Sequence, residues 1–89
     1  MINMSNIFVL IKEIIDMHGN TDFQTICFFN SEEHAYQGVI SYVPQYKSEF
    51  KTVTVHHDDD LCCGICIDAI SHEGNITHLR VENVPHAPH

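Results

Sequence analysis

Between Ile7 and Met17 the chain sets Ile7, Phe8, Val9, Leu10, Ile11, Ile14, Ile15 and Met17 against three polar residues, Lys12, Glu13 and Asp16. A segment this apolar has to be covered over most of its surface, so the rest of the chain must be built around it. Ile7, Ile11, Ile14 and Ile15 recur at helical spacing, and Lys12, Glu13 and Asp16 form a polar strip. Ser5 or Asn6 can cap such a helix, Gly19 can end it in the left-handed conformation, and no proline interrupts it. The spacing predicts an N-terminal helix. Its apolar arc, widened by Phe8 and Val9, would cover the open side of a sheet or lie in a subunit interface.

After Gly19 the pattern changes to period two. Residues 23–29 read as a strand, followed by a turn at Asn30, Ser31, Glu32 and Glu33. Residues 36–43 read as a second strand, stopped by Pro44, which cannot donate to a ladder. A short helix from Asn30 to Val43 is the alternative, because Asn30 and Glu33 have capping-box spacing. Gly38 at its centre and the β-branched run after it favour the strand. In the third strand, 50–57, Val53, Val55 and His57 alternate with Thr52, Thr54 and His56. Asp58, Asp59 and Asp60 make a turn into a fourth strand, 61–70, and Glu73-Gly74-Asn75 turns into a fifth, 76–84. Residues 1–85 are expected to form one domain, with 86–89 a frayed tail.

The expected fold is therefore α+β: an N-terminal helix followed by a five-stranded antiparallel sheet, rolled into a small barrel that leaves no exposed edge. The segment Thr25-Ile26-Cys27-Phe28-Phe29-Asn30, a polar turn, and Tyr36-Gln37-Gly38-Val39-Ile40-Ser41-Tyr42 resemble the Sm-like and SH3-like small β-barrels. There a short helix precedes five strongly bent strands, and a glycine in the second strand permits the bend. The resemblance implies the barrel but no RNA-binding role, since the Arg-Gly pair of Sm proteins is missing: the only arginine, Arg80, precedes Val81. An open sheet with the helix on one face is the alternative.

Charge narrows the function. Four basic residues, Lys12, Lys47, Lys51 and Arg80, stand singly against twelve acidic ones, for a formal charge of −8. Such a chain lacks the basic patch that duplex nucleic acid or an anionic membrane requires. A protein partner with a basic surface suits it, because complementary fields speed encounter. No run reaches the roughly 18 to 20 apolar residues of a membrane span, and the start lacks signal-peptide features, so a soluble, cytoplasmic protein is expected. Three of the four cysteines fall within five residues, as free thiols rather than a disulfide framework.

The run His56 to Cys66 gathers two imidazoles, three carboxylates and three thiols. Cys63-Gly64-Ile65-Cys66 has zinc-ligand spacing, and a four-ligand site would draw on residues such as His57 and Cys27. In a regular strand, however, Cys63 and Cys66 point to opposite faces unless Gly64 makes a bulge. No metal site and no cofactor is therefore expected, and Cys63 reads as a small packed hydrophobe. Asp58, Asp59 and Asp60 lack the spacing of a calcium loop and read as a solvated hairpin tip. Cys62 or Cys66 beside His56 or His57 could serve nucleophilic catalysis, but no oxyanion hole or pocket accompanies them, so no enzyme is expected.

The sequence thus reads as a small acidic, non-enzymatic binding module that works through protein–protein contacts. In size and charge it has the look of inhibitors that phages and mobile elements direct against host proteins. Asp58, Asp59, Asp60, Glu32 and Glu33 are the expected contacts to a basic partner, with Tyr46 and Phe50 as its apolar anchors. An oligomeric small-ligand-binding protein, associating through the N-terminal helix or a sheet edge, and a zinc-stabilised domain are the alternatives.

Overall fold

The apolar run near the N-terminus is a strand. In the computed structural model, which describes residues 5–86, β1 spans Ser5–Ile15 and β2 spans Thr21–Phe29. Two helices follow, α1 at Glu32–Ser41 and α2 at Val43–Glu49. The chain then runs through β3 (Thr52–His57), a short 3-10 turn (Cys62–Gly64), β4 (Ile65–Ile70) and β5 (Ile76–His86). The strands form one antiparallel sheet in the order β2-β1-β5-β4-β3. The sheet is open, with β2 and β3 at its edges. The α+β class and the five antiparallel strands hold; the N-terminal helix and the barrel do not.

β1 misleads because it is apolar on both faces. Its register with β5 pairs Leu10 with Val81 and Lys12 with Leu79, so Phe8, Leu10 and Ile14 share the face of Val81 and Leu79. Ile7, Val9, Ile11 and Ile15 lie on the other. A strand with apolar residues on both sides reads as a continuous greasy run, and over nine residues such a run also fits a helical arc. Ser5 and Asn6, read as helix caps, lie within the strand. Gly19 does adopt positive φ, at +84°, but in the turn between β1 and β2. There Asp16 accepts hydrogen bonds from the His18 and Asn20 N–H groups at 2.8 and 2.9 Å and from the Asn20 amide at 3.1 Å. Those bonds, led by the Asn20 N–H, hold the Asp16 carboxyl below its ordinary range.

Residues 36–43, expected as a strand, belong mainly to α1. Ser31, not Asn30, caps it: its Oγ accepts from the His34 N–H at 3.1 Å. Glu32 and Glu33 occupy the first turn, where carboxylates favour the helix dipole. Gly38 is there for packing, because a Cβ at this position would meet the Phe29 ring end-on at 2.3 Å. The helix breaks at Tyr42 and restarts as α2 with Pro44 in its first turn, where a missing N–H costs nothing. Proline here opens a helix instead of ending a strand.

Both helices cover one face of the sheet. Ala35, Val39 and Tyr46 close over Leu10, Ile65, Ile67, Ala69, Leu79 and Val81, and all of these are buried. Val53 and Val55 face the same layer from β3, as the alternation predicts. β5 runs through Pro85 to His86, the first residue of the expected frayed tail, and residues 87–89 lie outside the described residues. No helix among the described residues is long and apolar enough to cross a membrane.

Candidate functional site

The two acidic segments singled out in the sequence adjoin the same short turn. Asp58, Asp59 and Asp60 form the turn that leaves β3, where Asp58 Oδ1 accepts from the Asp60 N–H at 3.0 Å. The Asp58 N–H returns to the Gly64 carbonyl at 3.1 Å, which ties this acidic turn to the 3-10 turn Cys62–Gly64. The start of α1 packs on the same 3-10 turn, and the Glu32 charge helps to raise the Cys62 and Cys63 thiols. Tyr36 of α1 faces His57 with ring centroids 6.3 Å apart, which closes the contact from the strand side. Carboxylates from positions 32–33 and 58–60 therefore flank one turn, and all five side chains are exposed.

The aromatic residues read with them are elsewhere. Tyr46 is 3 % exposed, inside the core, and Phe50 is half-buried against it with centroids 4.8 Å apart. Tyr42 meets Tyr46 edge-on at 5.8 Å. Burial raises the Tyr46 hydroxyl above its ordinary range. These rings hold α2 to the sheet, and Tyr46 is too buried to anchor a partner.

The thiol cluster is divided by the fold. Cys63 is buried with φ +53°, an uncommon conformation for a side-chain-bearing residue, and Gly64 follows at +80°. Two consecutive left-handed residues turn the chain into β4, so the kink sits before the strand and not within it. Cys66 then falls on the uncovered face, opposite His56, while His57 pairs with Ile65 on the helix-covered face. Cys27 lies on β2, three strands away from β4. Cys63, Cys66, His57 and Cys27 do not converge, and among the described residues no group of three such side chains is arranged to hold a metal. All four cysteines are free thiols, and the described residues form no pocket.

Burial pushes all four thiols up, Cys63 to about 11, with the hydrogen bond from the Ile65 N–H offsetting only part of the effect. A raised thiol stays protonated, so at pH 8 Cys63 carries about a hundredfold less thiolate than an ordinary cysteine. Its alkylation, followed by peptide mass mapping of the folded protein, is expected to climb about tenfold per pH unit past 9 and to level off only near 11. A plateau near 9 would show an unperturbed thiol.

One constellation was not read from the sequence. On the uncovered face, Asp68 lies between two histidines: its Oδ2 is 2.7 Å from His56 Nε2, and its Oδ1 contacts His78 Nδ1. On the neighbouring strands Arg80 donates to Glu13 at 3.0 Å and to Glu82 at 3.1 Å, and its guanidinium sits 5.9 Å from the Phe23 ring centre. The registers align Thr54, Asp68, His78, Glu13 and Phe23 in one row across all five strands. Period two places each residue on a face, but only the strand order brings positions 13, 56, 68 and 78 together. Each carboxylate here already has a hydrogen-bonding partner, Asp68 in the two histidines and Glu13 and Glu82 in Arg80, so the row is an internally bonded strip. No protein-family model, curated protein or solved structure matches the chain.

Proposed function

We propose that this protein is a non-enzymatic binding module that engages a basic protein surface through the carboxylates bordering the Cys62–Gly64 turn. The observation that carries the reading is that the segments bearing Glu32 and Glu33 and bearing Asp58, Asp59 and Asp60 adjoin one turn, with all five side chains exposed on a chain of formal charge −8. Neighbouring carboxylates repel, which disfavours their grouping unless solvent or a cationic partner screens them. With Tyr46 in the core and Phe50 half-buried against it, the contact is chiefly electrostatic, which sets association rate and specificity more than total affinity. Size and acidity are also those of inhibitors that phages and mobile elements direct against host proteins, an argument by analogy. Cytoplasmic action fits free thiols held protonated.

The test is capture from cell lysate on the immobilised chain at about 50 and about 500 mM salt. The wild type is expected to retain a basic protein at low salt and release it at high salt. The triple variant Asp58→Lys, Asp59→Lys, Asp60→Lys is expected to lose it at both. Capture that survives the reversal would overturn the assignment.

A further inference from the structure

We propose that the uncovered face of the sheet is the interface of a homodimer, occupied by the same face of a second copy. β1 supplies the first observation. Its uncovered side carries Ile7, Val9, Ile11 and Ile15 with Glu13 as the single polar residue, whereas a water-facing sheet surface alternates to polar residues. β2 adds Phe23 and Phe28, 58 % and 66 % exposed, and β4 and β5 add Ile70, Ile76 and Val84, at 40 %, 36 % and 44 %. Val9 is shut off by its neighbours in the sheet, whereas Ile7, Ile11 and Ile15 are only half-buried and the flanking strands leave large apolar side chains exposed.

The arrangement of these residues selects the occupant. One end of the face holds Ile7 paired with Val84 and Val9 between Phe28 and Glu82; the other holds the row Ile15, Ile76, Ile70. The strip of Asp68, His56, His78, Glu13 and Arg80 crosses between them. A two-fold axis lying in the plane of the face superposes apolar ends on apolar ends and strip on strip, whether it runs along or across the strands. The apolar bands are thus self-complementary.

Charge points the same way. Copies of a chain at −8 repel, so they can associate only where local charge is low. On this face three carboxylates, Glu13, Asp68 and Glu82, stand against Arg80, leaving −2 with both imidazoles neutral and zero with both protonated. A basic partner is drawn instead to the two acidic segments. Five strands about 4.8 Å apart, with an average length of about 25 Å, give a face of about 600 Å². Two such faces bury about 1,200 Å², the size at which specific interfaces begin.

Sedimentation equilibrium of the full chain from about 5 to about 500 µM tests the proposal across the range of weak to tight association. The wild type is expected to show twice the 10.2 kDa chain mass at the upper concentrations. Val84→Asp and Ile76→Lys, at opposite ends of the face on central strand β5, are each expected to give the single-chain mass with an unchanged far-ultraviolet dichroism spectrum. Phe28→Lys, at a more exposed site, serves as a third variant should either fail to fold. The triple lysine variant at Asp58, Asp59 and Asp60 is expected to remain dimeric, which separates this interface from the partner site. A wild type with single-chain mass at every concentration would overturn the proposal. So would a dimer that survives the folded β5 variants, the result expected if copies pair edge to edge through β2.

Discussion

Replacing Leu10 by alanine is expected to lower stability by about 3 to 4 kcal/mol, measured by urea denaturation. Leu10 is fully buried beneath α1, opposite Val81 and Cys27, so truncation leaves a cavity in the middle of the core. A chain of 89 residues commands about 4 to 13 kcal/mol in total, so the variant should stand near the edge of folding at room temperature. Ile11→Ala is the informative comparison. Ile11 points to the uncovered face and is half-buried, and in dilute solution its loss is expected to cost about 1 kcal/mol. A helix with Ile7, Ile11, Ile14 and Ile15 on its buried face would reverse that order. Comparable losses at the two positions would show that β1 is not covered from one side only.

Gly38→Ala is expected to destabilise the protein by about 1 to 2 kcal/mol, although alanine is the better helix former. In an exposed helix the change would stabilise by about 1 kcal/mol. Here the new methyl group would lie 2.3 Å from the Phe29 Cζ and 3.0 Å from both ring Cε atoms. Phe29 is half-buried at the end of β2 and packs against the core, so its ring can yield only by disturbing the contact between α1 and the sheet. Overpacking of this kind costs about 1 to 3 kcal/mol and outweighs the gain in propensity. Thermal melting of Gly38→Ala, Phe29→Leu and the double variant checks the cause. The double variant should be more stable than the sum of the single losses, because the shortened side chain removes the clash. Strict additivity would place the cost elsewhere.

Gly38 also explains part of what could not be read from the sequence. Glycine inside a helical segment counts against it on propensity, and the β-branched residues after Gly38 favour a strand. Propensity carries no record that Phe29 needs room, which only the packing of β2 against α1 reveals. Pro44 misled in the same way: a residue that ends a strand is equally at home in the first turn of a helix. By contrast, strands with one buried face were plain. Val53 and Val55, Ile65, Ile67 and Ala69, and Leu79 and Val81 alternate as they pack.

The candidate site divides along the same line. Asp58, Asp59 and Asp60 were legible as a turn because three adjacent carboxylates have no place in a ladder. Their proximity to Glu32 and Glu33 depends on where α1 lands. Tyr46 looked like a contact residue because aromatic rings serve surfaces and cores alike, and only its burial decides. The row of Asp68, His56, His78 and Glu13 rests on β5 pairing with both β1 and β4, a long-range arrangement that local patterning does not encode.

Everything argued for the uncovered face depends on Ile7–Ile15 being a strand between β2 and β5. Backbone nuclear Overhauser effects measured on the isotope-labelled chain test this most directly. Cross-strand contacts are expected from Val9 to Phe28 on one side and to Glu82 on the other, as the registers require. A continuous series of contacts between residues three apart along Ile7–Ile15, the mark of a helix, would contradict the account.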